Sequence, residues 1–218
     1  HVPWSPPVHY LAEVFLPALA LLGVSAEVAL RRWGWYPAGG GEIEATVQPA
    51  ASLGGLDLDR RGAVELGGVS AVSRLPRSIA ERQRGRAEER LRAAGVAASI
   101  AVEEDQRALG PGTLVFLAVH GRAGFSALGR RGLRAEQVAD LAVDECLAWL
   151  ATGAAVDEHL ADQLLPFLAL GARPSVLTCP RLSAHLTTVA WVVQHFVPVR
   201  VTLSDGPPAR VVVEPGPP

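Results

Sequence analysis

The chain of 218 residues has no lysine and no methionine, and all 20 of its basic residues are arginine. Covalent chemistry through a lysine amine is therefore excluded within it. Two cysteines, Cys146 and Cys179, are too few for a disulfide framework and lack metal-ligand spacing. Cys146 lies on an apolar helical stripe and reads as a buried structural thiol, so a reducing cytoplasm is the expected compartment. No apolar run reaches the roughly 18–20 uncharged residues of a membrane span, and the longest, 14–24, carries Pro17. Nor is there an excess of positive charge. The formal net charge is −2, so nucleic-acid contact has to be local rather than a property of the whole surface. The chain opens at His1 without a signal peptide, in mid-phrase, and is expected to be the C-terminal part of a longer protein.

With 49% hydrophobic and 19% charged residues, the composition is that of an ordinary globular protein of one large or two small domains. After a proline-rich opening, a helix is expected over 10–22, kinked or shifted at Pro17 and stopped by Gly23. Alternating strands at 26–35 and 43–48 form a hairpin around Gly39, Gly40 and Gly41. Those glycines either relax the turn or let the backbone approach a phosphate. Residues 57–152 read as strand–helix–strand–strand–helix, a small unit inserted between 1–56 and 153–218. Its first helix, 77–94, places Ile79, Ala87 and Leu91 on one face. The other faces interleave arginines with glutamates, which reads as a solvated surface.

The densest polar cluster falls in 157–197, which holds HLADQ (159–163) and SAHLTT (183–188). Leu160, Leu164, Phe167 and Leu168 make an amphipathic stripe, while His159, Asp162 and Gln163 share another face and can reach one ligand. A second helix starts after Ser183, a suitable N-cap, and carries His185 in its first turn. Unpaired N–H groups and the helix dipole there attract phosphate and favour a neutral, nucleophilic imidazole. A histidine that merely packs or caps has the same pattern. His159 and Asp162 lack a third ligand at zinc spacing, whereas Asp162 could hold a magnesium ion shared with nucleotide phosphates, or be a plain surface carboxylate. No nucleophile elbow and no carboxylate pair spaced for glycoside chemistry occurs.

The stretches HVPWSPPVHYLAEVFLPAL, RRWGWYPAGGGEIEA, RSIAERQ, GPGTLVFLAV, FSALGRRG, DEHLADQLLPFLAL and SAHLTTVAWVVQHFVPVRV resemble, in order and spacing, the RNA 3′-terminal phosphate cyclases. The resemblance implies an α+β fold of repeated helix-pair and four-stranded-sheet units, shared with enolpyruvate transferases, carrying an inserted thioredoxin-like α/β domain. It implies ATP and a divalent metal, magnesium or manganese, as cofactors and RNA 3′-phosphate ends as partner. His185 would take up AMP from ATP, a ligase-type reaction giving a 2′,3′-cyclic phosphate. Pro7, Tyr10, His159, Asp162 and Gln163 would border the nucleotide, with Asp162 also on the metal; pairing into a homodimer is left open. The family's Gly-rich opening, a metal-binding glutamate and RNA-handling arginines have no counterpart here, so the piece alone is expected to be impaired. Two other readings share this architecture: a non-catalytic ribosome-assembly relative, which would lack the histidine, and an enolpyruvyl transferase, none of whose motifs appear.

Overall fold

The computed structural model describes residues 1–216. Their fold is a mixed α+β structure with three sheets. Behind Pro7 come α1 (Val8–Tyr10), a π-helical segment (Leu11–Phe15) and α2 (Leu16–Ala20). Pro17 has no N–H to give to a helical ladder, and the wider π turn just ahead of it is the form the expected disruption takes. Gly23, at φ +94°, closes this stretch as expected.

Strands β1 (Ser25–Arg32) and β2 (Glu42–Gln48) form an antiparallel ribbon. The expected first strand stops at Arg32, because Trp33 and Trp35 leave the ladder and bury their stacked rings 5.2 Å apart. The glycine turn belongs to this packing. Gly39 N–H donates to the Trp35 carbonyl (2.8 Å) and Arg32 Nε to the Gly40 carbonyl (2.6 Å). Gly39 and Gly40 have positive φ, and a Cβ on Gly40 would run into Leu109. Of the two roles considered for the triple glycine, turn relaxation is the one this geometry carries.

The middle of the chain builds β4 (Leu66–Ser73), α3 (Arg77–Ala93), β5 (Ala98–Glu104), β6 (Gly112–Val119), β7 (Ala123–Leu128) and α4 (Ala135–Thr152). The sheet order is β5-β4-β6-β7, with β4 and β5 parallel and the other pairs antiparallel. Strand β7 is an addition to the expected pattern. One face of this sheet buries Val115, Leu117 and Phe125 with Val143, Cys146 and Trp149 of α4. The other face, through Val69, Leu114 and Phe116, shares a core with Tyr10 and Val14. The arginines of α3 pair with α4 carboxylates: Arg82 with Glu136 (2.8 Å), Arg86 with Asp140 (2.8 Å) and Arg90 with Asp144 (2.8 Å). The buried face of α3 is Ala80, Gln83, Ala87 and Leu91, so a glutamine stands where Ile79 was expected.

The third sheet has the order β3-β8-β10-β9, from β3 (Asp57–Leu58), β8 (Ser175–Cys179), β9 (Val199–Ser204) and β10 (Ala209–Pro215). β3 runs parallel to β8, so residues 57–58 join the C-terminal sheet rather than the start of the inserted stretch. Helices α5 (Glu158–Ala169) and α6 (Ala184–Phe196) pack on each other, and Leu160, Leu164 and Leu168 are fully buried. Each such leucine contributes about 1.5–3 kcal/mol by leaving water. No helix among the described residues is long and apolar enough to cross a membrane.

Candidate active site on helices α5 and α6

The start of α5 is fixed by one buried carboxylate. Asp157 caps the helix, accepting from Leu160 N–H (2.8 Å), and also accepts from Gly124 N–H of β7 (2.8 Å). The Tyr10 hydroxyl lies 2.9 and 3.0 Å from its two oxygens. Burial pushes the Asp157 carboxyl above the usual carboxylate range, and these donors act against that shift. Burial and the nearby charges of Asp157 and Asp162 hold the Tyr10 hydroxyl well above its ordinary value. One side chain thereby ties α1, β7 and α5 together.

Two further links fix the segments that lead into α5 and α6. Arg181, in the loop before α6, grips Glu158 at the start of α5 through two bonds of 2.8 and 2.9 Å. Thr178 at the end of β8 accepts from Ala155 N–H (3.0 Å) and donates to the Asp59 carbonyl (3.1 Å). Ser183 then caps α6 as expected, its hydroxyl accepting from Leu186 N–H (3.0 Å). His185 is the second residue of the helix and is exposed. The first-turn N–H groups of Ala184 and His185 have no acceptor inside the helix.

On α5, opposite its leucine stripe, His159 is exposed while Asp162 and Gln163 are half-buried. Burial raises the Asp162 carboxyl above its usual range, and the positive charges available at His159 and His185 oppose that rise. Both imidazoles therefore lie within electrostatic reach of one carboxylate, although 23 positions separate Asp162 from His185 in the chain. Glu145 of α4, an exposed residue, has its carboxyl raised by partial desolvation and by the Asp157 charge, while His159 opposes the rise. Pro7 is buried at the start of α1, where its carbonyl accepts from Tyr10 N–H (2.9 Å). Tyr10 is only 4% exposed and supports α5 from beneath, with its ring against Gly124.

The arrangement combines an accessible imidazole at a capped helix start, free backbone donors and a desolvated carboxylate. It can hold a phosphate and offer a nitrogen nucleophile to it. Among the described residues, no group of three or more His, Cys, Asp or Glu side chains is placed to hold a metal ion. A single half-buried carboxylate such as Asp162 fits an ion that takes most of its oxygens from phosphate and water.

A sequence profile described as RNA 3′-terminal phosphate cyclase matches residues 1–203. The chain belongs to the RNA 3′-terminal phosphate cyclase family. Curated relatives named RNA 3′-terminal phosphate cyclase agree. The protein from Nostoc punctiforme is 41% identical over 94% of this chain and 60% of its own length. That from Methylococcus capsulatus is 45% identical over 92% and 57%, and that from Methanopyrus kandleri 39% identical over 98% and 64%. This cyclase-family chain thus spans about three-fifths of the length of the relatives it matches. Three residues that serve the site were not singled out in its sequence: Asp157, Glu158 and Arg181. Only Asp157 had a local signal, an acidic residue just before an apolar helical period.

Proposed function

We propose that this chain is part of an enzyme that uses ATP to convert an RNA 3′-terminal phosphate into a 2′,3′-cyclic phosphate, with His185 as the nucleophile. The observation that carries the reading is the exposed His185 at a capped helix start, with Asp162 and His159 on the neighbouring helix, in a cyclase-family chain without lysine. An unprotonated ring nitrogen of His185 attacks the α-phosphorus of ATP; the bond to the pyrophosphate oxygen breaks and an N–P bond forms. The first-turn N–H groups of α6 hold the phosphate oxygens during that exchange. An oxygen of the RNA 3′-phosphate then attacks the same phosphorus and frees the imidazole. Finally the 2′-hydroxyl oxygen attacks the terminal phosphorus, loses its proton, and AMP departs.

Asp162 is the residue to hold a magnesium or manganese ion, which would offset phosphate charge. Gln163 and His159 border the nucleotide from α5, with Pro7 and Tyr10 as the family's adenine-side positions. Residues 1–58 and 153–216 form parts of a large domain of helix-pair and sheet units, interrupted by a thioredoxin-like unit, in a protein of the cytoplasm. The order β5-β4-β6-β7 with one parallel pair supports the inserted unit. The test uses a protein that carries this chain at the family's full length. With ATP, RNA ending in a 3′-phosphate should become resistant to phosphatase, and His185→Ala should abolish this. An end that stays phosphatase-sensitive while ATP still binds would refute the reaction and favour a non-catalytic relative.

A further inference from the structure

A groove of about 1240 Å³ lies away from His185, between the N-terminal stretch with Trp35–Tyr36 and the α3, β7 and α4 side. Its floor holds a polar defect. Gln83 is fully buried, and its Oε1 lies 2.9 Å from both the Ser70 and Thr113 hydroxyls. Those hydroxyls also touch the carbonyls of Ala80 and Ala71, but these belong to α3 and β4, whose backbone ladders already supply donors. Each hydroxyl has one proton for two acceptors, and in this orientation of the amide Nε2 is buried without a partner. Trp35, 4% exposed and lining the same groove, has its Nε1 in the same state. Both residues line the groove, with the two nitrogens themselves buried beneath its surface.

The rim adds charge and aromatic surface. Arg130 and Arg131 are exposed, line the groove, and have no ion-pair partner among the described residues, unlike Arg82, which Glu136 neutralises. On the facing wall Trp4 is fully exposed, with its backbone at φ +61°, and Tyr36 is 70% exposed. A bulky residue seldom adopts that backbone state.

We propose that this groove binds a single RNA strand, with phosphates on Arg130 and Arg131 and a base stacked on Trp4 or Tyr36. Cationic rim and exposed aromatic rings together are the complement of a strand that is anionic and flat-based. With a formal net charge of −2 on the whole chain, this local patch makes the attraction site-specific. The choice of RNA rests on the proposed reaction: the groove would hold the strand upstream of the end that reaches His185.

The experiment titrates the full chain with a fluorescein-labelled oligouridylate ending in a 3′-phosphate, following RNA binding and Trp emission. The wild type should bind, and RNA should quench a Trp4 signal that is missing in Trp4→Phe. Arg130→Gln/Arg131→Gln, both at exposed positions, should weaken binding at least about tenfold and flatten the slope of log affinity against log salt by about 1.4. ATP affinity should be unchanged. Wild-type affinity in the double variant, or no RNA binding by the wild type, overturns the assignment. So does persistent shielding of Trp4 from acrylamide without RNA in a protein of full family length, because another part of that chain would then fill the groove. Loss of phosphatase resistance with RNA affinity intact would instead sink the reaction and leave the groove standing.

Discussion

Lowering the pH from 7 to 5 should weaken the fold through His9. Burial drives the pKa of this ring down to about 4 from the ordinary 6.5, and its Nδ1 has no hydrogen-bond partner. It packs among rings, with centroids 5.0 Å from Trp33 and 5.8 Å from Phe116 and His1. The sign follows from which state takes up the proton first. The unfolded chain protonates near 6.5 and the folded chain only near 4, so the stability tied to neutral His9 is fully present above 6.5 and lost as pH falls. At pH 5 the loss relative to pH 7 is about 2 kcal/mol, reaching about 3 kcal/mol at pH 4. Urea unfolding of the wild type and His9→Phe at both pH values isolates the effect, because other titrating groups, His1 included, are common to the two proteins. The wild type should lose about 2 kcal/mol more than the variant between pH 7 and 5. Equal losses would refute the claim that His9 is held neutral by burial.

Three further outcomes follow from the same structure. Asp157→Asn replaces a carboxylate that meets donors from three elements, and should lower unfolding stability by about 3 kcal/mol in urea titrations, since one amide oxygen cannot serve them all. Unchanged stability would deny the carboxylate its joining role. Burial pushes the Cys146 thiol up to about 12 and the Cys179 thiol up to about 11, so a neutral-pH thiol reagent should label neither until denaturant unfolds the chain. Tyr10→Phe should cost about 1–2 kcal/mol in thermal unfolding by removing a hydrogen bond to a charged group.

Local grammar was legible in the sequence wherever one residue decides a boundary. Ser183 caps α6, Gly23 ends the first helical stretch, and the 160–164–168 stripe is buried as its spacing requires. Strand β7 escaped because Gly124 and three alanine or serine positions give it little β signal, and burial on both faces erases its alternation. Gln83 escaped for a related reason. A polar residue on a helix reads as solvent-facing until its hydroxyl partners, 13 and 30 positions away, are known. In the site, the shared face of His159, Asp162 and Gln163 follows from helical spacing alone. Bringing His185 to Asp162 needed the packing of α5 on α6, and tying Tyr10 to Asp157 spans 147 positions. Family resemblance supplied the chemistry that spacing left open.

The most direct test of the account is to map the adenylyl group. A protein carrying this chain at full family length is incubated with ATP and magnesium or manganese, digested at its arginines, and the peptides are weighed by mass spectrometry. The account predicts one added AMP on the peptide holding His185, stable to alkali, labile to acid, and absent from His185→Ala. An AMP on any other side chain, or none while ATP is bound, would contradict it.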